Sequence, residues 1–260
     1  MSKVSNLAEA PLRKRVSSEE WETRVNLAAC YRLAAHFRMT DMIYTHISAR
    51  VPGPEHHFLI NAFGLMWDEI SASTLVKVTI DGDIVEDPAG NGINRAGYVI
   101  HSAVHRARAD VDCVMHTHTA AGIAVSAQDH GLLPISQHAM RFTGNLAYHD
   151  YEGVSLELDE RSRLVADLGD KTAMMLRNHG LLTTGRSVAE AFLRLYRLER
   201  ACQTQIDAGA AGTIATMGDN VAGKSRAQLD GFADSDTGGG DLEFAALIRK
   251  IDKVDTSWRN

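Results

Sequence analysis

Two histidines separated by one residue, His116 and His118, end a short apolar run that begins at Val111. The run is short and rich in valine and has no helical period, which indicates a buried strand. Side chains at positions i and i+2 of a strand project from the same face, so both imidazoles point the same way. Two imidazoles at a rigid strand end can bind one metal ion. The alternative is an ordinary polar pair at the solvated end of a strand.

A third histidine, His179, follows a second apolar run over residues 172–176, and Gly180 after it permits a sharp turn. Three neutral imidazoles leave the double positive charge of a divalent ion intact and one coordination position open. That arrangement is typical of catalytic rather than structural metal sites. The sequence therefore predicts a metal site formed by His116, His118 and His179.

The elements that must position these histidines follow from capping and periodicity signals. Ser17 and Ser187 are each followed three residues later by glutamate, which predicts two capped helices, to about residues 38 and 208. Strand and hairpin patterns cover residues 43–60 and 75–85, and a helix over residues 97–109 leads to the histidine strand. Hairpins with interleaved helices favour an α/β domain whose mostly antiparallel sheet is covered by helices on both faces.

Composition restricts the class of protein. Of the 260 residues, 45% are hydrophobic, which suffices for a sizeable core. The net charge of −6 argues against broad nucleic-acid binding, and no stretch reaches the roughly 18 uncharged apolar residues of a membrane span. The three cysteines, Cys30, Cys113 and Cys202, are widely spaced and predict reduced thiols. We therefore expect a cytoplasmic protein without nucleic-acid or membrane partners.

Composition also divides the chain into three parts. Residues 1–16 are small, polar and basic, which predicts a flexible N-terminal tail. Residues 17–208 are predicted to form the α/β domain. Residues 209–260 begin as a glycine-rich segment and end in a predicted helix over 241–254, which either belongs to the same domain or covers the site.

Several segments, taken in order, resemble the class II aldolase/adducin domain family over roughly residues 20–208. The resemblance is carried by residues 43–50, 60–64, 81–82, 116–118 and 178–180. It implies a three-layer α/β/α sandwich with a mostly antiparallel central sheet. It further implies that the three histidines bind a divalent metal, zinc first, with manganese, cobalt or iron as alternatives. A homotetramer with active sites between neighbouring subunits is also implied.

The sequence departs from the family's sugar-phosphate aldolases at the positions of the general base and the proton donor. The resemblance places an acidic general base ahead of the His-x-His strand, and the matching residue here is Gly97. The family's phosphate-binding positions hold His46, Asn61 and Arg95, so the phosphate cradle is altered and these three residues become candidate substrate contacts. The family's proton-donating tyrosine falls near His138, which is the predicted catalytic residue.

The predicted chemistry follows from an open metal position. A divalent ion can chelate a hydroxy-carbonyl substrate and stabilise the enolate that forms when a carbon–carbon bond breaks. Decarboxylation needs no initial base, so Gly97 favours it, or an aldol reaction whose base lies elsewhere; His46 and His105 are further candidates for proton transfer. Arg95 and Arg141 could bind a substrate carboxylate. His101 and His105, one helical turn apart, are interpreted as a half-buried helix face.

These observations predict a divalent-metal-dependent carbon–carbon lyase acting on a small hydroxy acid, keto acid or sugar-like substrate. A metal-dependent decarboxylase of the same fold is the first alternative. A non-catalytic, adducin-like interaction module is the second. An epimerase or dehydratase is a third, which the missing base at Gly97 disfavours because both reactions need a proton acceptor beside the metal.

Overall fold

The computed structural model describes residues 11–53, 56–153, 160–233 and 239–260. Most of the tail predicted for residues 1–16 lies outside the described residues, and Leu12–Lys14 within it form a short 3-10 helix. None of the described helices combines the length and the apolar character needed to cross a bilayer.

The described strands form one sheet in the order β4-β3-β2-β1-β5-β8-β7-β6. The strands are β1 (His46–Arg50), β2 (His57–Ile60), β3 (Val76–Thr79), β4 (Ile84–Glu86), β5 (Cys113–Thr117), β6 (Leu146–His149), β7 (Ala173–Leu176) and β8 (Gly180–Gly185). Neighbouring strands are antiparallel except for the parallel pair β6 and β7. The prediction of a mostly antiparallel central sheet is therefore confirmed, although the sequence signals did not predict β6.

Helices cover both faces of this sheet. They are α1 (Ser18–His36), α2 (Arg95–Ala107), α3 (Ala120–Ser126), α4 (Gln137–Met140), α5 (Glu160–Leu168), α6 (Val188–Ala211), α7 (Asp219–Ala233) and α8 (Asp241–Ile251). Side chains of α1 and α6 share one apolar cluster with Met115 and Met175 of the sheet. Side chains of α2 and α5 share another with Val114 and Met174. The predicted three-layer α/β/α sandwich is thus confirmed.

The alternation of side chains along β5 decides where the first histidine lies. Met115 packs towards α1 and α6, whereas Val114 packs towards α2 and α5. His116 is two residues beyond Val114, so its ring lies on the α2 face. On the neighbouring strand His46 is paired with His116 and Ser48 with Val114, so these two side chains also face α2.

The two predicted capping signals form in different ways. Ser187 accepts a hydrogen bond from the Glu190 backbone N–H at 3.1 Å, and the Glu190 carboxylate accepts from the Arg186 backbone N–H at 2.6 Å. Ser17 likewise accepts from the Glu20 N–H at 3.1 Å. The Glu20 carboxylate does not complete that box, because it binds the buried guanidinium of Arg24.

Loss of the cap of α6 is expected to cost about 1 kcal/mol, the usual effect of replacing an N-cap serine by alanine. We expect Ser187→Ala to lower the free energy of unfolding in urea by that amount, because the Glu190 N–H loses its acceptor. Ser187→Asp retains a capping oxygen and serves as the matched control. Equal destabilisation by both substitutions would show that the cap itself contributes nothing.

The C-terminal segment packs at a distance from the three histidines. Helix α8 contacts α1 and α6, and α7 contacts α4. Phe244 of α8 lines a cavity of about 520 Å³ together with Asp112, which precedes β5 at the end opposite His116. The side chain of Trp258 is buried at 1% exposure. This packing supports our proposal that residues 209–260 belong to the same domain as residues 17–208.

Candidate metal centre

The three histidines predicted as ligands meet at one end of the sheet. Nε2 of His118 lies 2.9 Å from Nε2 of His116 and 2.9 Å from Nε2 of His179. One potential ligand atom from each residue lies within 4.8 Å of the others. His116 and His118 come from the end of β5, and His179 from the turn between β7 and β8. The structure therefore brings together the predicted set from two segments of the chain.

Hydrogen bonds on the outer side of the cluster orient two of the rings. Nδ1 of His116 is 3.0 Å from the Leu181 carbonyl oxygen, and Nδ1 of His118 is 3.1 Å from Oδ2 of Asp41. A carbonyl or carboxylate oxygen only accepts, so each Nδ1 carries the hydrogen and each Nε2 presents a lone pair to the cluster. Convergent lone pairs repel one another unless a cation lies among them. The donor set therefore suits a divalent metal.

Burial favours the neutral form of two of these imidazoles, those of His116 and His179. It lowers the pKa of His116 well below its ordinary value, and the neighbouring His179 and His118 rings lower it further. Burial, followed by the proximity of His118, lowers the pKa of His179 to about 4. Neutral imidazole is the form that binds metal, so at neutral pH protons do not compete for these nitrogens.

Left-handed backbone conformations precede two histidines at this end of the sheet. Asn178, before His179, has a φ of 57°, and Thr45, before His46, has a φ of 65°. Asparagine tolerates this region, but for a β-branched threonine it is an outlier that the surrounding structure must enforce. After His179, a Cβ on Gly180 would lie 2.3 Å from the Thr117 carbonyl oxygen, so only glycine fits there. The backbone is therefore held in costly conformations where it aims the two rings.

His46 fills the space that the glycine at position 97 leaves. Its ring is 5% exposed and stacks on His116 at 6.2 Å between centroids, with 23° between the ring planes. A Cβ at Gly97 would lie 2.2 Å from Nε2 of His46. At the position where the resemblance implies an acidic residue, the structure therefore has a glycine against a buried imidazole.

We expect Gly97→Ala to destabilise the protein by about 1 to 3 kcal/mol, because the new methyl group overpacks the His46 ring. Free energies of unfolding in urea measure the effect. Gly223→Ala in α7 is the matched control, since no atom lies within 4 Å of its added Cβ. A helix-interior glycine replaced by alanine ordinarily gains up to about 1 kcal/mol, so the two substitutions should have opposite signs. Equal signs would contradict the tight contact between Gly97 and His46.

Asp41 contacts the ring of a predicted metal ligand, a role that the sequence did not indicate. It lies in the loop after α1, 77 positions before the ring it orients, and no motif marks it. We expect Asp41→Asn to weaken zinc binding by about 10- to 100-fold, the usual effect of losing a partner of a metal-binding histidine. Titration of metal-free protein with zinc measures this. The exposed Asp68→Asn is the control and should leave the affinity unchanged.

Three of the other predicted site residues lie at the same end of the sheet. His46 is described above. Asn61 is buried, and its Oδ1 is 2.9 Å from the Tyr31 hydroxyl, which also accepts a hydrogen bond from the Ile47 N–H at 2.8 Å. Arg95 is exposed in the first turn of α2, two residues before Gly97. The three residues that the resemblance placed at the family's phosphate-binding positions therefore lie at the same end of the sheet as the three histidines.

His138 and Arg141 lie elsewhere in the chain. His138 lies on α4 with most of its ring exposed, and partial burial followed by the neighbouring charge of Arg197 lowers its pKa. Arg141 borders a crevice with Thr172, which precedes β7 at the end opposite His179. Among the residues that the structure describes, no contact joins either side chain to the three histidines of the same subunit.

An α/β/α sandwich whose central antiparallel strands present three convergent imidazoles has the architecture of the class II aldolases. Residues 25–206 match the family described as the class II aldolase and adducin N-terminal domain, and the chain belongs to that family.

Three relatives show the breadth of this family. A solved aldolase II superfamily protein from Pseudomonas syringae is 58% identical, with a TM-score of 0.92 over 96% of this chain and 100% of that one. The L-fuculose 1-phosphate aldolase of Glaciozyma antarctica is 28% identical, with a TM-score of 0.80 over 91% of each chain. Mouse alpha-adducin is 42% identical over 248 residues, which are 89% of this chain but 33% of the adducin.

Proposed function

We propose that the protein is a divalent-metal-dependent carbon–carbon lyase that acts on a small hydroxy acid, keto acid or sugar-like molecule. The observation that carries the proposal is the convergence of three Nε2 atoms, two of them oriented by acceptors behind their rings. Membership of the aldolase family and the likeness to a fuculose-phosphate aldolase support it. When bound, the ion supplies a Lewis acid for the charge that carbon–carbon cleavage leaves on the substrate.

The chain's own residues define what this site can hold. His116, His118 and His179 would bind the metal, and zinc is our first choice because three imidazoles suit it, ahead of manganese, cobalt and iron. A site made of neutral imidazoles retains most of the ion's positive charge, which favours a substrate with an anionic oxygen. Arg95, exposed in the first turn of α2 two residues before Gly97, is our proposed contact for a carboxylate.

A homotetramer with shared active sites is part of the same proposal. Four large apolar side chains are exposed in loops at the metal end: Met42 at 60%, Tyr44 at 44%, Phe63 at 37% and Met66 at 41%. Clusters of exposed apolar groups are typical of interfaces. We propose that His138 and Arg141 serve the site of a neighbouring subunit, since both lie away from the three histidines of their own subunit in the part of the chain that the structure describes. Three buried, free cysteines support a cytoplasmic location.

One experiment tests the function and separates aldolase from decarboxylase. Protein purified without an affinity tag is analysed for metal, reloaded with zinc, and screened with hydroxy acids, keto acids and sugar phosphates. Release of an aldehyde identifies an aldolase, and release of carbon dioxide identifies a decarboxylase. Less than about a tenth of an equivalent of metal per subunit, with equal uptake by wild type and His116→Ala, would contradict the proposal, because a tri-imidazole site binds zinc tightly.

The 42% sequence identity to mouse alpha-adducin supports a second candidate function, that of a non-catalytic interaction module. This chain retains three convergent histidines, which an interaction surface does not need. A specific protein partner whose binding is unaffected by His179→Ala, together with no turnover in the screen, would favour the module.

A further inference from the structure

Buried histidines beyond the three predicted ligands lie in the layer between the sheet and α2. His101 and His105 on α2 are fully buried, which corrects their interpretation as a half-buried helix face, and one nitrogen of each ring contacts Oγ of Ser48. A further histidine, His149, is 3% exposed, and carboxylates rather than a hydroxyl group lie beside its ring. The surroundings of His149 suggest a role in the metal centre.

The position of His149 in the sheet places its ring near the third ligand. His149 ends β6 and is paired with Leu176 of β7, three residues before His179. Ala147, two residues earlier on β6, belongs to the apolar cluster that packs on α2 and α5. The His149 ring therefore lies on the same face of the sheet as the ring of His116, and at the same end.

Two carboxylates define the hydrogen bonding of the His149 ring. Nδ1 lies 2.7 Å from Oδ2 of Asp167, and since a carboxylate only accepts, Nδ1 carries the hydrogen of this bond. Nε2 lies 3.6 Å from Oε1 of Glu160, which is too far for a direct hydrogen bond, and it has no hydrogen-bond partner among the described residues. A charged ring would donate to Glu160 directly. The neutral ring instead presents a lone pair beside an oxygen that also only accepts, so a donor is needed between the two atoms.

One small cavity is shared by this pair of acceptors and a ligand of the metal centre. It measures about 10 Å³, and its lining includes His149, Glu160 and His179 together with Ile100 of α2. A single buried water needs roughly 10–15 Å³ of such space and two to four polar partners. The cavity therefore has the size and the polar lining of a site for one water molecule.

The third ligand needs an acceptor of the kind that the other two have. The Leu181 carbonyl oxygen accepts from His116, and the Asp41 carboxylate accepts from His118. Nε2 of His179 is directed at the other rings, so Nδ1 carries its hydrogen when Nε2 binds a metal, and no described residue accepts that hydrogen. Metal-binding histidines almost always donate it to a carboxylate, a carbonyl group or water.

We propose that one bound water accepts from Nδ1 of His179 and donates to Nε2 of His149 and to the Glu160 carboxylate, which makes His149 and Glu160 positioning residues of the third ligand. This inference rests on the proposed function, since metal binding at Nε2 is what fixes the hydrogen on Nδ1. The bridge gives each hydrogen an acceptor, because the water has two hydrogens and two acceptors beside it. It also raises the basicity of the His179 ring, and Asp167 holds His149 in the tautomer that the bridge requires.

A crystal structure of the zinc-loaded wild type, at a resolution that shows ordered water, tests the bridge directly. We expect one water oxygen within about 3.2 Å of Nδ1 of His179, Nε2 of His149 and an oxygen of Glu160. A cavity without ordered water, or direct contact between these side chains, would overturn the proposal. A wild type that binds no zinc would contradict the proposed function, and the water position in its crystals would still decide the bridge.

Zinc titration of metal-free variants tests whether the bridge supports the metal centre. We expect His149→Leu to weaken zinc binding by about 10- to 100-fold, the usual effect of removing a partner of a metal-binding histidine. His149→Gln keeps an acceptor near the place of Nε2 and should restore most of the affinity. His36→Leu, at an exposed histidine, is the control and should bind zinc like wild type. Unchanged affinity in His149→Leu would overturn the positioning role.

Proton NMR of zinc-loaded protein labelled with ¹⁵N in its histidines separates positioning from a general structural role. Hydrogen-bonded ring protons exchange slowly with solvent, so we expect signals from Nδ1–H of both His116 and His179 in wild type. In His149→Leu the His179 signal should be lost, while that of His116, held by the Leu181 carbonyl, should persist. Persistence of both signals would overturn the bridge. Loss of both would report unfolding of the variant, and the wild-type crystal structure then decides.

Discussion

Replacing His179 by alanine is expected to abolish stoichiometric zinc binding and to lower turnover by at least about 1,000-fold. A Lewis acid supplies several kcal/mol to the transition state, and each 1.36 kcal/mol is a factor of ten in rate. His179 is the ligand from the second chain segment, and Nε2 of His118, 2.9 Å away, is its nearest partner. Without it, two nitrogens from positions 116 and 118 at the end of β5 remain, which is too few for a tight site.

Zinc per subunit, measured after dialysis, and the rate of product release are the two readouts for this variant. His36→Ala is the matched control, because His36 is an exposed histidine at the end of α1 whose ring contacts Phe37. It should retain full zinc and full activity. Full zinc retention in His179→Ala would remove this residue from the ligand set, whatever the activity.

Acidification from pH 7 to pH 5 is expected to destabilise the protein by about 4 kcal/mol through His101 and His105 together. Burial holds the pKa of each ring at about 3 in the folded protein, against 6.5 for an exposed histidine. Between these two values the unfolded chain binds protons and the folded protein does not. The stabilisation is complete above pH 6.5 and is lost as the pH falls. At pH 5 each ring contributes about 2 kcal/mol of this loss, at 1.36 kcal/mol per pH unit.

Urea unfolding at both pH values measures this difference. Other histidines titrate in the same range, so variants must isolate the contribution of the pair. We expect His105→Gln to reduce the loss between pH 7 and pH 5 by about 2 kcal/mol, and the double variant with His101→Gln to reduce it by about 4 kcal/mol. An undiminished pH dependence would show that these rings are protonated in the folded state. Arg50, which donates to the His105 carbonyl, is retained in all variants.

Local patterns predicted most of the fold because each depends on neighbours in the chain. Ser17 and Ser187 accept the hydrogen bonds that cap α1 and α6, as their positions three residues before a glutamate predicted. The two patterns that failed depend on distant residues. Glu20 should have completed a capping box, but Arg24 and Lys77 bind its carboxylate instead. Strand β6 was missed because its short segment shows little alternation by itself and gains its hydrogen-bonding partners from β7.

In the site, as in the fold, the features that depend on nearby residues were predicted and those that depend on distant residues were not. The spacing of His116 and His118 fixes their common face, and the apolar run before His179 indicates a strand end. Nothing in the sequence links Asp41 to His118, because their contact joins two loops brought together only by the folded sheet. The tight contact between Gly97 and the His46 ring was likewise not predicted from the sequence. Glycine at 97 was interpreted as the loss of a base. The structure adds that the His46 ring of β1 lies in the space that a side chain at position 97 would need.

The proposed metal site draws its donors from segments of the chain that are synthesised at different times. Asp41, His116 and His118 leave the ribosome early, but His179 comes more than sixty positions later, and the Leu181 carbonyl that holds the His116 ring follows it. A nascent chain interrupted before residue 179 carries an incomplete set of donors. The proposed site is therefore complete only once residues 179–181 have been added, and a chain that stops before them is not expected to bind zinc tightly.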